Sequence, residues 1–118
     1  KYDLVFVHVE ASDEAGHEGD VNLKIKTIEY FDLRLVGRVL DGICEKVRIA
    51  LLPDHPTPIA VRTHVADPVP FLIYDPEKEA DEVEQFNESS CRRGILGLLE
   101  GDSFIKKVLG KENQEGKT

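Results

Sequence analysis

Tyr2-Asp3-Leu4-Val5-Phe6-Val7-His8-Val9, the spaced residues Val21, Ile25, Ile28, Leu35, Val39 and Ile43, and the run from Val47 to Leu52 decide the fold. The first run is β-branched, aromatic and almost continuously apolar, which is how a strand covered on both faces reads. The second set repeats at threes, fours and sevens, the stripe of an amphipathic helix. Asp20 stands where its N-cap belongs and Gly42 near its end. The third run is a short apolar strand closed by Pro53. Strand, helix, strand is a βαβ unit, whose strands are expected to be parallel with a right-handed crossover. The fold class expected is therefore α/β, a mixed sheet with a βαβ unit.

Outward from this unit the pattern weakens. Residues 10–20 are polar and contain Gly16 and Gly19, and residues 53–68 form a loop rich in Pro, Asp and His. Residues 69–74 are a third strand between Pro68 and Pro76. The acidic stretch 77–88 reads as a surface helix starting near Ala80. Residues 103–109 read as a short amphipathic helix, and residues 110–118 as a frayed polar tail. We therefore expect one domain over residues 1–110 and a tail over 111–118.

The 118 residues include 15 basic and 23 acidic ones, a net charge of −8. That balance argues against a nucleic-acid backbone or an anionic membrane as partner. No apolar run approaches the ~20 residues of a spanning helix, and no signal peptide opens the chain. Cys44 and Cys91 lack CxxC spacing and read as reduced thiols of a cytoplasmic protein. The chain contains no Met and opens at Lys1 directly into an apolar run, which suggests a piece of a longer protein.

Three of the four histidines stand near strand ends and close to aspartates. Asp13 and His17 are four apart, so one helical turn would aim both the same way. Asp54 and His55 follow the second strand, and His64 precedes the third. Loops after parallel strands emerge at one edge, the usual ligand edge of such sheets. Asp13, His17, Asp54 and His55 are thereby expected to converge. His64 joins them only if the third strand starts at that edge and runs antiparallel. Taken singly, each has a plainer role as a turn or surface residue. Their joint occurrence favours a metal site. Asp and His ligands without Cys suit Zn²⁺, Mn²⁺ or a similar ion. Five ligands are too many for one open catalytic metal and too few for two, so a two-metal site with ligands elsewhere is expected. His8 lies inside a strand and reads as a core histidine or one that supports a ligand. Asp32 falls on the helix stripe and is given no role. Gly16-His17-Glu18-Gly19 is not a dinucleotide fingerprint, and P-loop, zinc-protease, calcium-loop and nucleophile-elbow patterns are absent.

The segment His8-Val-Glu-Ala-Ser-Asp13-Glu-Ala-Gly-His17-Glu-Gly resembles the metal-binding segment of cofactor-independent phosphoglycerate mutases of the archaeal type. Pro53-Asp54-His55-Pro56-Thr57-Pro58 is similar to their Asp-His motif, and Arg62-Thr63-His64 with Pro68-Val69-Pro70 to their last ligand segment. Lys26 to Asp32 resembles the intervening helix, and Phe86-Asn87-Glu88 onward, more weakly, the C-terminal stretch. The resemblance implies a partial alkaline-phosphatase-like fold and a two-metal phosphoryl-transfer site. Manganese is the expected metal, with zinc, magnesium or cobalt as alternatives. It implies that Asp13, His17 and His64 hold one ion and Asp54 and His55 the other. A further Asp and the nucleophilic Ser would come from an N-terminal segment, so no catalytic residue is assigned in this chain. The implied activity is glycolytic interconversion of 3- and 2-phosphoglycerate through a phosphoserine, with phosphoglycerate as substrate. A related metal-dependent phosphatase, or a non-catalytic metal-binding domain, are the competing readings. The doubly apolar first strand calls for the N-terminal segment, or a partner copy in a homo-oligomer, to cover it.

Overall fold

Where the apolar pattern stops after residue 10, the backbone coils into helix α1, Ala11–Glu18, rather than a loop. Asp13 and Glu14 in its first turn match the positive end of the helix dipole. Gly19 ends it with φ +71°, a conformation open to glycine, and its N–H reaches the carbonyls of Ala15 and Gly16. Asp20 then leaves the helical region, and its carboxylate accepts the Leu23 N–H at 3.0 Å. This is the expected N-cap of helix α2, Val21–Phe31. A π-helical turn, Asp32–Val36, follows, and α3, Gly37–Gly42, completes the helical run. In that turn the Gly37 N–H bonds back to the Asp32 carbonyl, five residues earlier. The structure, a computed structural model, describes residues 3–111. These fall into two units, one from residues 3–44 and 55–67, the other from 45–54 and 68–111.

In the first unit the described part of the strand expected over residues 2–9 is not formed: residues 4–10 have no regular structure and pair with no strand among the described residues. Phe6 is 82% exposed, with Leu4, Val5, Val7 and Val9 also open to solvent. The parallel pairing of the expected βαβ unit is therefore corrected. An apolar run records a need for burial, but a strand forms only where a facing backbone satisfies its N–H and C=O groups. The helix forms where expected, yet its stripe is not covered: Ile28 is 54% exposed, and Val21 and Ile25 are exposed too. His8 is exposed as well, 3.6 Å from the Glu10 carboxylate, and so is not a core residue here. Among the described apolar residues, Ala15 alone is buried.

The second unit holds a two-stranded antiparallel sheet of β1, Ile49–Leu51, and β2, Leu72–Tyr74, in the register Ile49↔Tyr74. The expected antiparallel run of the third strand is borne out. Arg48 fastens this unit. Its guanidinium meets Asp75 Oδ2 at 3.1 Å and donates to the Val108 carbonyl at 2.7 Å, at the end of α5, Ser103–Leu109. Phe71 and Phe104 meet edge to face at 5.3 Å. Asp75 also accepts the Glu77 N–H, and that bond first, then Arg48, holds its carboxyl below the usual carboxylate range.

The expected helix near Ala80 is absent; α4, Glu88–Cys91, starts later, capped by Asn87. Asp75 and Asp81 accept N–H groups two residues on, and Asp81 also accepts from Ile95. Such local bonds compete with helix formation, and crowded carboxylates add repulsion. The short helix over 103–109 matches expectation, with Gly110 at φ +72° ending it. Most of the expected tail, residues 112–118, lies outside the described residues. Cys44 and Cys91 are free thiols. Among the described residues no helix is long and apolar enough to cross a membrane.

Candidate metal centre

The site belongs to the first unit and is made by docking the loop 55–65 onto α1. The loop is shaped by a tight turn in which the Val61 and Arg62 N–H groups bond the Pro58 carbonyl. Arg62 takes φ +59°, the left-handed region that costs a side-chain-bearing residue energy. This turns its carbonyl onto His17 Nδ1 at 3.0 Å, while its guanidinium lies against Gly19, where a Cβ has no room. Further along α1, Gly16 meets Thr57: a Cβ there would stand 2.6 Å from the Thr57 carbonyl oxygen. The same carbonyl accepts from Lys24 Nζ at 2.6 Å, and Thr57 is only 4% exposed.

Docking gathers Asp13, His17 and His64. His17 Nε2 is 3.1 Å from His64 Nε2 and 3.4 Å from Asp13 Oδ2, and His64 Nε2 is 3.2 Å from Asp13 Oδ1. The His55 ring lies 3.5 Å, centroid to centroid, from that of His64. Four of the five expected residues, Asp13, His17, His55 and His64, belong to this unit; Asp54, exposed on a bend after β1, belongs to the second. The route differs from the expected one. The residues meet because a loop packs on a helix face, not because parallel strands end at a common edge.

The donor set fits a divalent cation. Metal–ligand bonds of about 2.0–2.2 Å place neighbouring donors about 2.8–3.6 Å apart, from right-angled to tetrahedral geometry. The His17–His64 separation of 3.1 Å lies inside that window, as do those of His64 from Asp13 Oδ1, 3.2 Å, and of His17 from the other carboxylate oxygen, Oδ2, 3.4 Å. The ligand atoms of Asp13, His17 and His64 are mutually within 4.8 Å. Protonation agrees. A carbonyl only accepts, so the neutral His17 carries its proton on Nδ1, facing Arg62, and turns the Nε2 lone pair into the site. His17 and His64 are exposed and Asp13 is half-buried, which leaves the cluster open to an ion from solvent.

Asp13 is held ionised below the usual carboxylate range. The Thr57 hydroxyl, donating to its Oδ1 at 2.6 Å, is the chief cause. Partial burial opposes this, and His17, His64 and His55 add to the lowering. Thr57 is the residue the sequence reading missed. Its signal was the placement of a small hydroxyl residue between Pro56 and Pro58, a segment too rigid to be a passive linker.

A sequence profile of the Metalloenzyme superfamily matches residues 1–108. The 2,3-bisphosphoglycerate-independent phosphoglycerate mutase of Methanosarcina mazei is 51% identical over 107 residues, 87% of this chain and 27% of that protein. A mutase 2 of the same description from Methanothermobacter thermautotrophicus is 50% identical over 110 residues, 92% of this chain and 27% of its own length. The solved structure of the PH0037 protein from Pyrococcus horikoshii is similar at a TM-score of 0.85 and 36% identity, over 94% of this chain and 34% of that one. The likeness is consistent with the expected partial alkaline-phosphatase-like α/β fold. The chain thus spans about a quarter of the length of these curated relatives. With the profile matched across residues 1–108 and a divalent-metal donor set inside that span, the chain belongs to the Metalloenzyme superfamily.

Proposed function

We propose that this chain is the ligand-bearing part of a 2,3-bisphosphoglycerate-independent phosphoglycerate mutase, which interconverts 3- and 2-phosphoglycerate. The observation that carries the reading is the Asp13–His17–His64 cluster, at cation-binding separations, in a chain about half identical to such mutases. In this reading Asp13, His17 and His64 hold one ion. Asp54 and His55 hold the second, with an Asp and the nucleophilic Ser supplied by an N-terminal segment. Manganese suits the mixed carboxylate and imidazole donors. When bound, the ions neutralise charge on the transferring phosphoryl group and acidify a coordinated hydroxyl. The chain's own residues set the frame. The Arg62 carbonyl keeps the His17 lone pair aimed inward, and Thr57 keeps Asp13 ionised and oriented.

The complete protein supplied with Mn²⁺ is expected to convert 3- to 2-phosphoglycerate. Release of phosphate without conversion would make it a phosphatase instead, and the absence of both with metal bound would leave a binding domain. The exposed run Leu4 to Val9 fits a surface that the rest of the protein, or a second copy, covers. The isolated 118-residue chain is accordingly expected to self-associate in light scattering. A monodisperse monomer with a cooperative thermal transition would argue against that cover.

A further inference from the structure

We infer that Thr57 is a positioning residue that couples the two metal sites, its one hydroxyl fixing Asp13 on one side and His55 on the other. The inference rests on the two-metal reading above, which assigns these two ligands to different ions. A hydroxyl has a single proton. The 2.6 Å contact to Asp13 Oδ1, a group that only accepts, takes it. The oxygen is then left to accept, and its other partner is His55 Nδ1 at 3.2 Å. His55 therefore carries its proton on Nδ1. The Pro56 carbonyl, 3.4 Å from the same nitrogen, calls for the same tautomer. This tautomer places the His55 lone pair on Nε2, as the Arg62 carbonyl places that of His17.

Thr57 has little freedom to swing out of this role. Its carbonyl is held by the Lys24 ammonium, and a Cβ added at Gly16 would meet its methyl group at 2.9 Å. The side chain itself is buried. Removing the hydroxyl alone would take the strongest bond from Asp13 and the tautomer bias from His55 together. Two ions held by separate supports would respond separately; two that share one hydroxyl should weaken together.

The test uses the complete protein with Mn²⁺ alone as the probe, by titration calorimetry and metal analysis. Thr57→Val, close in shape, and Thr57→Ala both delete the hydroxyl; Thr57→Ser keeps it. Each hydroxyl deletion is expected to weaken both Mn²⁺ sites by ~10–100-fold, the usual loss for a group that supports a ligand. Thr57→Ser should stay within about threefold of wild type. Raising Mn²⁺ should restore kcat in Thr57→Val with KM for phosphoglycerate unchanged, a rescue that a packing defect would not give. Circular dichroism identifies a variant that fails to fold, and the other deletion then decides. Wild-type affinity at either site in a folded deletion variant, or loss of binding in Thr57→Ser, overturns the inference. Uptake of fewer than two Mn²⁺ by wild type overturns the two-metal reading itself, and the coupling with it.

Discussion

Replacing His17 or His64 by Ala in the complete protein should lower Mn²⁺ affinity by at least about 100-fold and phosphoryl transfer with it. Loss of a group that merely orients a ligand costs ~10–100-fold, so loss of the ligand itself sets a higher floor. The geometry makes the two replacements equivalent. Each imidazole lies within 3.4 Å of Asp13 and 3.1 Å of the other, so either deletion leaves two donors where three converged. His8→Ala is the control: His8 is exposed, 3.6 Å from the Glu10 carboxylate, and not one of the three clustered residues, so its loss should lower metal content much less. Acidification should reproduce the effect in wild type. Asp13 is ionised below the usual carboxylate range, chiefly through Thr57, so its negative charge survives as pH falls into that range. Metal binding needs donor lone pairs free of protons, so Mn²⁺ affinity is expected to fall with pH while Asp13 keeps its charge. Metal analysis and turnover of the three variants check this; full metal content in both His17→Ala and His64→Ala would refute the site.

The pairing of Asp13 with His17 was legible because it is local. Asp13 and His17 are four apart, and that spacing brings them together on any helix, even one the polar composition of residues 10–20 did not announce. Asp20 and the stripe behind it gave α2 for the same reason: capping and periodicity are written within a few residues. The antiparallel β1–β2 pair was expected from one further demand, that His64 return to the other candidate residues. What did not follow were features set by partners distant in sequence. Residues 4–9 carry the composition of a buried strand, yet composition does not name the backbone that would pair with it. Thr57 escaped notice because its importance lies in contacts to Asp13, Gly16 and Lys24, between 33 and 44 positions away. The acidic stretch failed as a helix because Asp75 and Asp81 bond nearby N–H groups, a choice that helix propensity alone does not capture.

Gly16→Ala should destabilise the protein and loosen metal binding, against the ordinary preference of helices for alanine. In an open helix the exchange gains about 0.8–1.0 kcal/mol. At Gly16 the new Cβ would sit 2.6 Å from the Thr57 carbonyl oxygen and 2.9 Å from its methyl group. The carbonyl is backbone, pinned by Lys24, so it cannot yield as the tip of a flexible side chain would. Overpacking of this kind costs about 1–3 kcal/mol, which outweighs the helix term over most of that range. Relief of the clash moves Thr57 away from α1, and with it the hydroxyl that orients Asp13. Mn²⁺ affinity should therefore fall along with stability. Gly42→Ala isolates the helix term, because a Cβ at Gly42 meets nothing within 4 Å and the residue is the last of α3. That variant should be as stable as wild type or slightly more so, with metal binding unchanged. Thermal unfolding and Mn²⁺ titration of the two variants side by side make the comparison. A Gly16→Ala protein as stable as Gly42→Ala, binding Mn²⁺ like wild type, would mean that the loop 55–65 does not dock on α1 as described and that the cluster is held some other way.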